Sequence, residues 1–412
     1  MKLTSEEQAW LAGDGGPGLR KAMEIITALG QIYGAADTVA VGSVQIAGVS
    51  YKNLGDAGLE FLAEWAGQGA RVRVPSYLNP AGMDLQDWQR LGIAPEFAQR
   101  QTAVIEALTA FGALPACSCT PYLIAPRPLF GESLAWSESS AVSYANSVLG
   151  ARTNREGGPS ALAAALTGRT ARYGLHLDEH RRADVVVEVR CPVASEADFG
   201  ALGYLVGRQV GQGVPCFRGL MLQPFDRKVP PDVDTRLRAL GAAMGAAGAV
   251  ALYHIEGVTP EAQGGNVLRK DARRITIDSL ADGYAALNTT PLADIDLVSI
   301  GCPHASAEEI QDIAALLRGR GLKARLWVTT SRSVKTQAPQ AVADIEAAGG
   351  VVIADTCLVV APVEDLGIRR LATNSAKAAF YAPSHAGLEV RFGTLGQCLT
   401  AAVTGRWPGV VD

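Results

Sequence analysis

The stretch DLVSIGCPHASAEEI, Asp296–Ile310, decides the fold. Its first part is a mostly apolar run typical of a buried strand, and Ser306 with Glu309 forms a capping box that predicts the start of a helix. Two similar units follow, with strands predicted in KARLWVTT (Lys323–Thr330) and GVVIADTC (Gly350–Cys357). Strands that alternate with helices predict a parallel sheet covered on both faces.

The same alternation extends toward the amino terminus. Strands are predicted at Asp37–Val49, Ala70–Pro75, Ala183–Cys191 and Gly248–Val258, with helices between them. Because single cores stop growing near roughly 250–300 residues, 412 residues predict two or three lobes around a central cleft. We expect an α/β fold with lobes at 1–190, 191–294 and 295–412.

Composition narrows the class of function. The chain is 48% hydrophobic and 19% charged with a net charge of −4, which favours a small-molecule substrate over nucleic acid or anionic lipid. There is no signal-peptide pattern and no uncharged apolar run of membrane-spanning length, so we expect a cytoplasmic protein. Seven cysteines in such a chain favour thiol or metal chemistry over a disulfide framework.

Three cysteines stand where active sites of parallel sheets belong. Cys302 and Cys357 follow predicted strands, and Cys119 lies in the motif CSCTPYL. Three thiolates can hold an iron–sulfur cluster and leave one iron open to a substrate oxygen. Two alternatives remain open from the residues alone: buried structural thiols, and a zinc site in which His304 is a further ligand.

Several motifs together resemble one family. They are CTPYL (Cys119–Leu123), WSESSAVSYANSVLGARTNREGGPSAL (Trp136–Leu162), HIEGVTPEA (His254–Ala262), IGCPHAS (Ile300–Ser306), DTC (Asp355–Cys357) and TNSAKAAFY (Thr373–Tyr381). In this order they resemble the aconitase X large subunit over essentially the whole chain.

The resemblance implies an aconitase-like core and a hydro-lyase (dehydratase) activity on a small hydroxy acid. It also implies an iron–sulfur cluster held by Cys119, Cys302 and Cys357, with [2Fe–2S], [4Fe–4S] and mononuclear iron left as alternatives. In this family a small swivelling subunit closes the site. Because the large-subunit motifs occupy the chain, we expect that subunit to be a separate partner.

Removal of water requires a Lewis acid for the leaving hydroxide, a base and cations for the carboxylate. For the carboxylate we predict Arg152 and Arg155, with Asn154 beside them, because a guanidinium can bind a planar anion through two hydrogen bonds. The alternative is that these arginines form internal ion pairs with Glu138 or Glu156.

Catalytic roles are predicted for four further residues. Lys377 is expected to bind the carboxylate or move a proton, with an exposed helix lysine as the alternative. Ser139 and Ser140 are expected to donate hydrogen bonds at a helix start, where ordinary capping is equally plausible. His304, two residues after Cys302, is expected to donate to the cluster or the substrate, with a buried core histidine as the alternative.

Thr120 and Tyr122 flank Cys119 and are expected to orient it or to contact the substrate. Aconitase takes its base, a serine alkoxide, from the swivelling domain. The resemblance therefore allows the base here to lie on the small subunit instead of this chain.

The substrate remains a choice between classes. The Ala-, Gly- and Arg-rich composition is typical of a high-GC bacterium, which favours cis-3-hydroxy-L-proline, converted to Δ1-pyrroline-2-carboxylate in hydroxyproline catabolism. The alternative is mevalonate 5-phosphate, whose phosphate would need extra cations such as Lys52, Arg169 and Arg172. A non-catalytic RNA-binding regulator is the third hypothesis, and the acidic net charge argues against it.

Overall fold

The computed structural model describes residues 1–226, 228–291 and 293–409. The strands, numbered in chain order, are β1 Thr38–Ala40, β2 Val44–Ile46, β3 Ser76–Leu78, β4 Ala135–Trp136, β5 Arg169–Ala171, β6 Ala183–Val189, β7 Pro215–Arg218, β8 His254–Ile255, β9 Leu268–Ile277, β10 Leu297–Ile300, β11 Arg325–Thr330, β12 Val351–Ala354, β13 Arg370–Thr373 and β14 Glu389–Phe392.

The α-helices are α1 Ser5–Ala12, α2 Pro17–Ile32, α3 Tyr51–Gly67, α4 Pro95–Ala110, α5 Pro121–Ile124, α6 Ser139–Ser147, α7 Gly158–Thr167, α8 Glu196–Val210, α9 Pro231–Ala247, α10 Pro260–Gln263, α11 Ala281–Leu287, α12 Ala307–Leu317, α13 Arg332–Gln337, α14 Pro339–Ala347, α15 Ala376–Ala386 and α16 Leu395–Thr404. Short 3-10 turns lie at Trp88–Leu91, Gly174–His176, Asp178–Arg181 and Val363–Leu366.

Three parallel sheets organise the chain. The three-stranded sheet has the order β3-β2-β4, the four-stranded sheet β8-β7-β6-β9 and the five-stranded sheet β12-β11-β10-β13-β14. The strand interiors of the five-stranded sheet are buried, as in Leu297–Ile300, which agrees with helices on both faces. The predicted α/β class with parallel sheets is therefore confirmed.

The capping box at Ser306 is also confirmed. Its hydroxyl accepts the N–H of Glu309, and the Glu309 carboxylate accepts the N–H of Ser306. These two bonds satisfy donors that a helix start leaves unpaired, and they begin α12 directly after the Cys302 turn.

Two strand predictions near the amino terminus are wrong. The predicted strand Asp37–Val49 is divided: β1 pairs antiparallel with β5, whereas β2 enters the three-stranded parallel sheet. The predicted strand Ala70–Pro75 is not a strand, because its N–H groups bond to separate segments and Pro75 has no N–H to give. The strand begins after the proline, at Ser76.

Separate apolar clusters stabilise the sheets. One surrounds Trp65 and Leu166 beside the three-stranded sheet, and a larger one, which includes Trp136 and Phe392, joins helices and strands of all three sheets. Burial of such side chains contributes about 1.5–3 kcal/mol each. Within the described ranges, none of the helices has the length and apolar character needed to cross a membrane.

Candidate active site

The three predicted cysteines meet beside the carboxyl ends of the five-stranded sheet. Cys302 follows β10 and Cys357 follows β12, whereas Cys119 comes from the loop before α5. The N–H of His304 donates to the Cys119 sulfur at 3.2 Å. Burial raises the pKa of the Cys119 thiol, and the charges of Glu138, Cys357 and Cys302 raise it further. The structure therefore brings the three thiols within electrostatic range of one another.

The other two sulfurs also have polar neighbours. Ser375 lies beside Cys302, where its contact lowers a thiol pKa that burial raises. The N–H groups of Val359 and Val360 serve Cys357, although burial still raises its pKa to about 12. A cysteine that binds a metal must be deprotonated to the thiolate. Hydrogen bonds to the sulfurs change the reduction potential of an iron–sulfur cluster. The donor set therefore fits such a cluster.

Across 1–226, 228–291 and 293–409, no three Cys, His, Asp or Glu side chains are grouped as ligands of one metal ion. In a [4Fe–4S] cluster held by three cysteines each thiolate binds a different iron, so the sulfurs need not surround one point.

A glycine turn positions Cys302. Gly301 has a φ of +97°, and a Cβ at this residue would lie 2.1 Å from the carbonyl oxygen of Thr329. Only glycine accepts both the left-handed backbone and the close approach. The turn directs the chain from β10 across the sheet edge, where Cys302 meets the other two loops.

His304 is buried and links the three cysteine loops. Its Nε2 lies 2.9 Å from the carbonyl oxygen of Thr356 and its Nδ1 lies 3.2 Å from the Ser118 hydroxyl. Because a carbonyl can only accept, Nε2 carries the proton and Nδ1 accepts from Ser118. Burial lowers the His304 pKa to about 4, so the ring is neutral at neutral pH.

These contacts correct two expectations about His304. With both ring nitrogens hydrogen-bonded to protein, the ring is not a zinc ligand beside Cys302, and it is not directed at a substrate. What His304 gives to the site is its backbone N–H, donated to Cys119.

Lys377 lies in the same region and forms a buried ion pair with Glu138. The two side chains are 10% and 7% exposed. Burial alone would lower the Lys377 pKa, but Glu138, Cys302 and Cys119 raise it. Burial likewise opposes ionisation of Glu138, and Lys377 nevertheless holds the Glu138 pKa below its usual range. Both groups are therefore charged, which excludes the exposed helix lysine that was the alternative.

Ser139 and Ser140 lie at the start of α6, but Glu138 is the helix cap, accepting the Ala141 N–H at 2.8 Å. Both serine hydroxyls donate to the Glu138 carboxylate. Ser139 also lies 3.5 Å from the Lys377 ammonium. The two serines therefore support the Glu138 and Lys377 pair.

Thr120 and Tyr122 are buried beside Cys119. The Thr120 hydroxyl pairs with Ser118 at 3.1 Å, and the Tyr122 ring stacks on Tyr144 with centroids 3.8 Å apart. Within the described part of the chain, the Tyr122 hydroxyl has no hydrogen-bond partner. Thr120 thus fixes the Cys119 loop, and Tyr122 keeps a free polar atom.

Tyr122 also borders a cavity of about 530 Å³ between the starts of α9 and α12. Its charged lining consists of the carboxylates of Asp232, Asp234, Glu308, Glu309 and Asp312 and the cations Arg127 and Lys228. Asp234 and Glu309 are already paired with Arg238. We place the candidate site at the cysteines, because Lys377 and the thiols come together there.

The structure does not bring the predicted arginine pair to the cysteines. Arg152 forms an ion pair with Asp178 and donates to the His176 carbonyl at 3.0 Å. Arg155 is exposed and lines a different cavity together with Asn154. The Asn154 side chain bonds to the backbone of Tyr173 and Leu175, as a structural residue would.

The alternative partners proposed for these arginines are also wrong for Arg152. Glu138 pairs with Lys377, and the buried Glu156 accepts from the hydroxyls of Ser160 and Thr170. Burial raises the Glu156 pKa because no arginine compensates the carboxylate.

Sequence reasoning missed three contributors to the site: Glu138, Ser375 and Ser118. Glu138 could have been noticed in the sequence. It stands directly before two serines at a predicted helix start, where a capping side chain is expected. Ser375 lies in the quoted motif that contains Lys377, and its hydroxyl also donates to the Cys302 carbonyl. Ser118 lies between two cysteines and has no distinguishing signal.

Comparison with known proteins now assigns the family. Models of the aconitase X first, second and third domains match residues 1–179, 183–282 and 295–404. A solved structure of aconitase X from Thermococcus kodakaraensis, in its holo form, superimposes with a TM-score of 0.89 at 46% identity, covering 98% of this chain and 100% of that one. The chain belongs to the aconitase X family, and its fold is aconitase-like.

Curated relatives define the class of reaction. The phosphomevalonate dehydratase large subunit of Methanothermobacter thermautotrophicus is 50% identical, over 94% of this chain and 95% of its own length. That of Methanocaldococcus jannaschii is 47% identical, over 97% and 99%. A cis-3-hydroxy-L-proline dehydratase of Pseudomonas aeruginosa is 38% identical, over 99% of this chain and 71% of its own length. The chain is therefore a dehydratase, a hydro-lyase.

Proposed function

We propose that this chain is the large subunit of a phosphomevalonate dehydratase, which removes water from mevalonate 5-phosphate. The observation that carries the proposal is the 50% identity, over nearly the full length of both chains, with a relative named for that activity. The hydroxyproline dehydratase is less similar, and its chain extends well beyond the matched region.

This proposal replaces cis-3-hydroxy-L-proline, the substrate favoured by composition. An Ala-, Gly- and Arg-rich chain reports the base composition of a genome and not the chemistry of one site. Identity over the whole chain includes the residues around the site, so it bears more directly on the substrate.

We propose further that Cys119, Cys302 and Cys357 hold an iron–sulfur cluster. The burial of Cys119 and Cys357, the backbone donors at these two sulfurs and the Lys377 ammonium near Cys119 and Cys302 support this assignment. When bound, the cluster would supply a Lewis acid for the leaving hydroxyl.

The part of Lys377 follows from its charge. A lysine held protonated by Glu138 is a poor base, but its ammonium can bind the substrate carboxylate and stabilise charge that develops there as the neighbouring proton leaves. Glu138 holds that ammonium in place. Its carboxylate is itself fixed, because it also accepts hydrogen bonds from the Ser140 hydroxyl and the Ala141 N–H. Lys377 is thus the proposed catalytic cation and Glu138 its positioning residue.

We propose that a small subunit completes the site. The relatives are named large subunits, which implies a second chain in those enzymes. Within the described part of this chain, the carboxylate and the imidazole beside the cysteines are both already hydrogen-bonded, so neither offers a free base. A base supplied by the partner agrees with this arrangement.

A two-substrate assay tests the proposal. The complex of this chain with its small subunit is prepared without oxygen, and the loss of water from each substrate is followed by mass spectrometry. We expect kcat/KM for mevalonate 5-phosphate to exceed that for cis-3-hydroxy-L-proline at least about 100-fold. Equal or opposite preference overturns the substrate assignment. A Lys377→Met complex is the control that turnover arises at this site.

A further inference from the structure

A second charged cluster lies close to Cys357. Arg332, the first residue of α13, forms ion pairs with both Asp84 and Asp355. The two aspartate side chains are 2% and 4% exposed, whereas Arg332 is 25% exposed. One guanidinium therefore pairs with two buried carboxylates and offsets part of the repulsion between them.

The same aspartates fasten two distant segments together. Asp84 accepts the N–H of Ala354, the last residue of β12, at 2.9 Å. In return the Ala81 N–H donates to the Asp355 carbonyl at 2.8 Å, and the Leu85 N–H donates to the Asp355 carboxylate at 3.3 Å. The segment 81–87 is thus hydrogen-bonded to the two residues that end β12 and begin the cysteine turn.

The turn itself depends on such anchoring. Asp355 has a φ of +66°, in the left-handed region that non-glycine residues adopt only when their surroundings impose it. Cys357 lies two residues further, so the direction in which Asp355 leaves the strand decides where the Cys357 sulfur lies.

We infer that Arg332 is a positioning residue for Cys357, acting through Asp84 and Asp355. The inference rests on the proposed function in one respect, namely that Cys357 is a cluster ligand. Without the guanidinium, the two carboxylates separate, the bonds to Ala354 and Leu85 weaken, and the turn loses its fixed conformation.

The five-stranded sheet offers a matched control. Arg370, the first residue of β13, also pairs with two aspartates, Asp294 at 3.1 Å and Asp296 at 3.0 Å, and is 30% exposed. Its cluster lies at the amino ends of the strands, whereas the cysteines lie at the carboxyl ends. Loss of Arg370 thus also removes two arginine–aspartate contacts, here to side chains that are 65% and 29% exposed, without touching a cysteine turn.

The experiment compares Arg332→Met with Arg370→Met in the two-subunit complex, each reconstituted with iron and sulfide. Iron and sulfide per chain are measured during competition with a chelator, and thermal unfolding is recorded separately. We expect Arg332→Met to weaken iron retention about 10-fold or more, the usual scale for residues that orient a metal ligand, and Arg370→Met to retain iron like the unchanged protein.

Two results overturn the inference: equal retention in Arg332→Met and the unchanged protein, or equal loss in both variants. If Arg332→Met does not fold, Arg332→Lys against Arg370→Lys gives the same comparison with the charge kept. Cys357→Ser separates the two levels of argument. Iron retained in Cys357→Ser refutes the ligand assignment itself, whereas iron lost there but kept in Arg332→Met refutes only the role of Arg332.

Discussion

The two ends of the motif Trp136–Leu162 differ in what they contact. At its start, Glu138 pairs with Lys377 beside the cysteines, and both side chains are at most 10% exposed. Toward its end, Arg152 pairs with Asp178, and these side chains are 25% and 83% exposed. Helix α6 separates the two pairs, and its 9 residues span about 14 Å.

A motif can therefore identify a family although only part of the motif lies at the site. Exposed ion pairs contribute little to stability and are common on any surface. A buried pair costs desolvation, and its position next to the thiols makes this pair the candidate for a part in the chemistry. Burial and convergence, and not the strength of the motif, distinguish the Glu138 end from the Arg152 end.

The largest effect is expected at the three cysteines that lie beside the Glu138 and Lys377 pair. Serine at Cys119, Cys302 or Cys357 should abolish iron binding and turnover, because serine is a poor ligand for iron in a cluster. Iron per chain and activity of the anaerobic complex measure this. Cys191→Ser is the control, and iron loss there too would show that the three are not special.

The next effect separates charge from fold at the buried pair. Lys377→Met should lower kcat/KM on the order of 100-fold or more and destabilise the fold by about 3–5 kcal/mol, because Glu138 is left buried and unpaired. The double variant Lys377→Met with Glu138→Gln should recover stability but not activity. Activity that returns with stability would make the pair purely structural.

A smaller effect is expected at the other end of the motif. Arg152→Met and Arg155→Met should each change kcat/KM less than about fivefold, because their contacts are surface contacts. Arg152→Lys, which keeps the charge, controls for loss of the ion pair. A fall as large as that of Lys377→Met would break the comparison and restore the arginines as substrate ligands.

The smallest effect is expected at Glu196. Unlike Glu138, this carboxyl group has no lysine partner among the described residues. Burial raises the Glu196 pKa to about 8, and the charge of Glu309 adds to this. Between the ordinary pKa of about 4.3 and this value, the folded chain holds a proton that the unfolded chain has lost, so stability falls as pH rises. We expect the unfolding midpoint of Glu196→Gln to fall less steeply between pH 5 and 8 than that of the unchanged chain.

Glu64→Gln is the control for that experiment. Glu64 is an exposed glutamate on α3, so its replacement removes one negative charge at a site where the carboxyl group is in contact with water. An identical pH slope in Glu196→Gln and the unchanged chain would contradict the raised pKa.

The sequence was sufficient for features that depend on local pattern. The strand before Cys302, the capping box at Ser306 and the parallel sheets follow from periodicity and cap chemistry. Periodicity also misled: Ala70–Pro75 alternates like a strand, but whether a segment pairs depends on a neighbour that the segment does not reveal. Likewise, Arg155 and Lys377 are both cations in quoted motifs, and only the fold shows which one is buried.

Long-range partners explain most of what was missed. Glu138 and Lys377 are separated by 239 residues, so no local pattern could pair them. The family resemblance did point to the three cysteines that the structure brings together, because each of them lies in a quoted motif. The resemblance left two substrates open. The composition argument that chose between them describes the whole chain and not the site.

The hydrogen bonds of His304 have a consequence for how the centre is assembled. Through Ser118, Thr356 and its own N–H, this one residue joins the three loops that carry the cysteines. Fixing the backbone of a residue costs about 1–2 kcal/mol of conformational entropy. Here the three loops are ordered together when the polypeptide folds. For the proposed cluster this means that iron and sulfide would meet ligands that are already ordered, so that its binding free energy would hold the metal instead of ordering the chain.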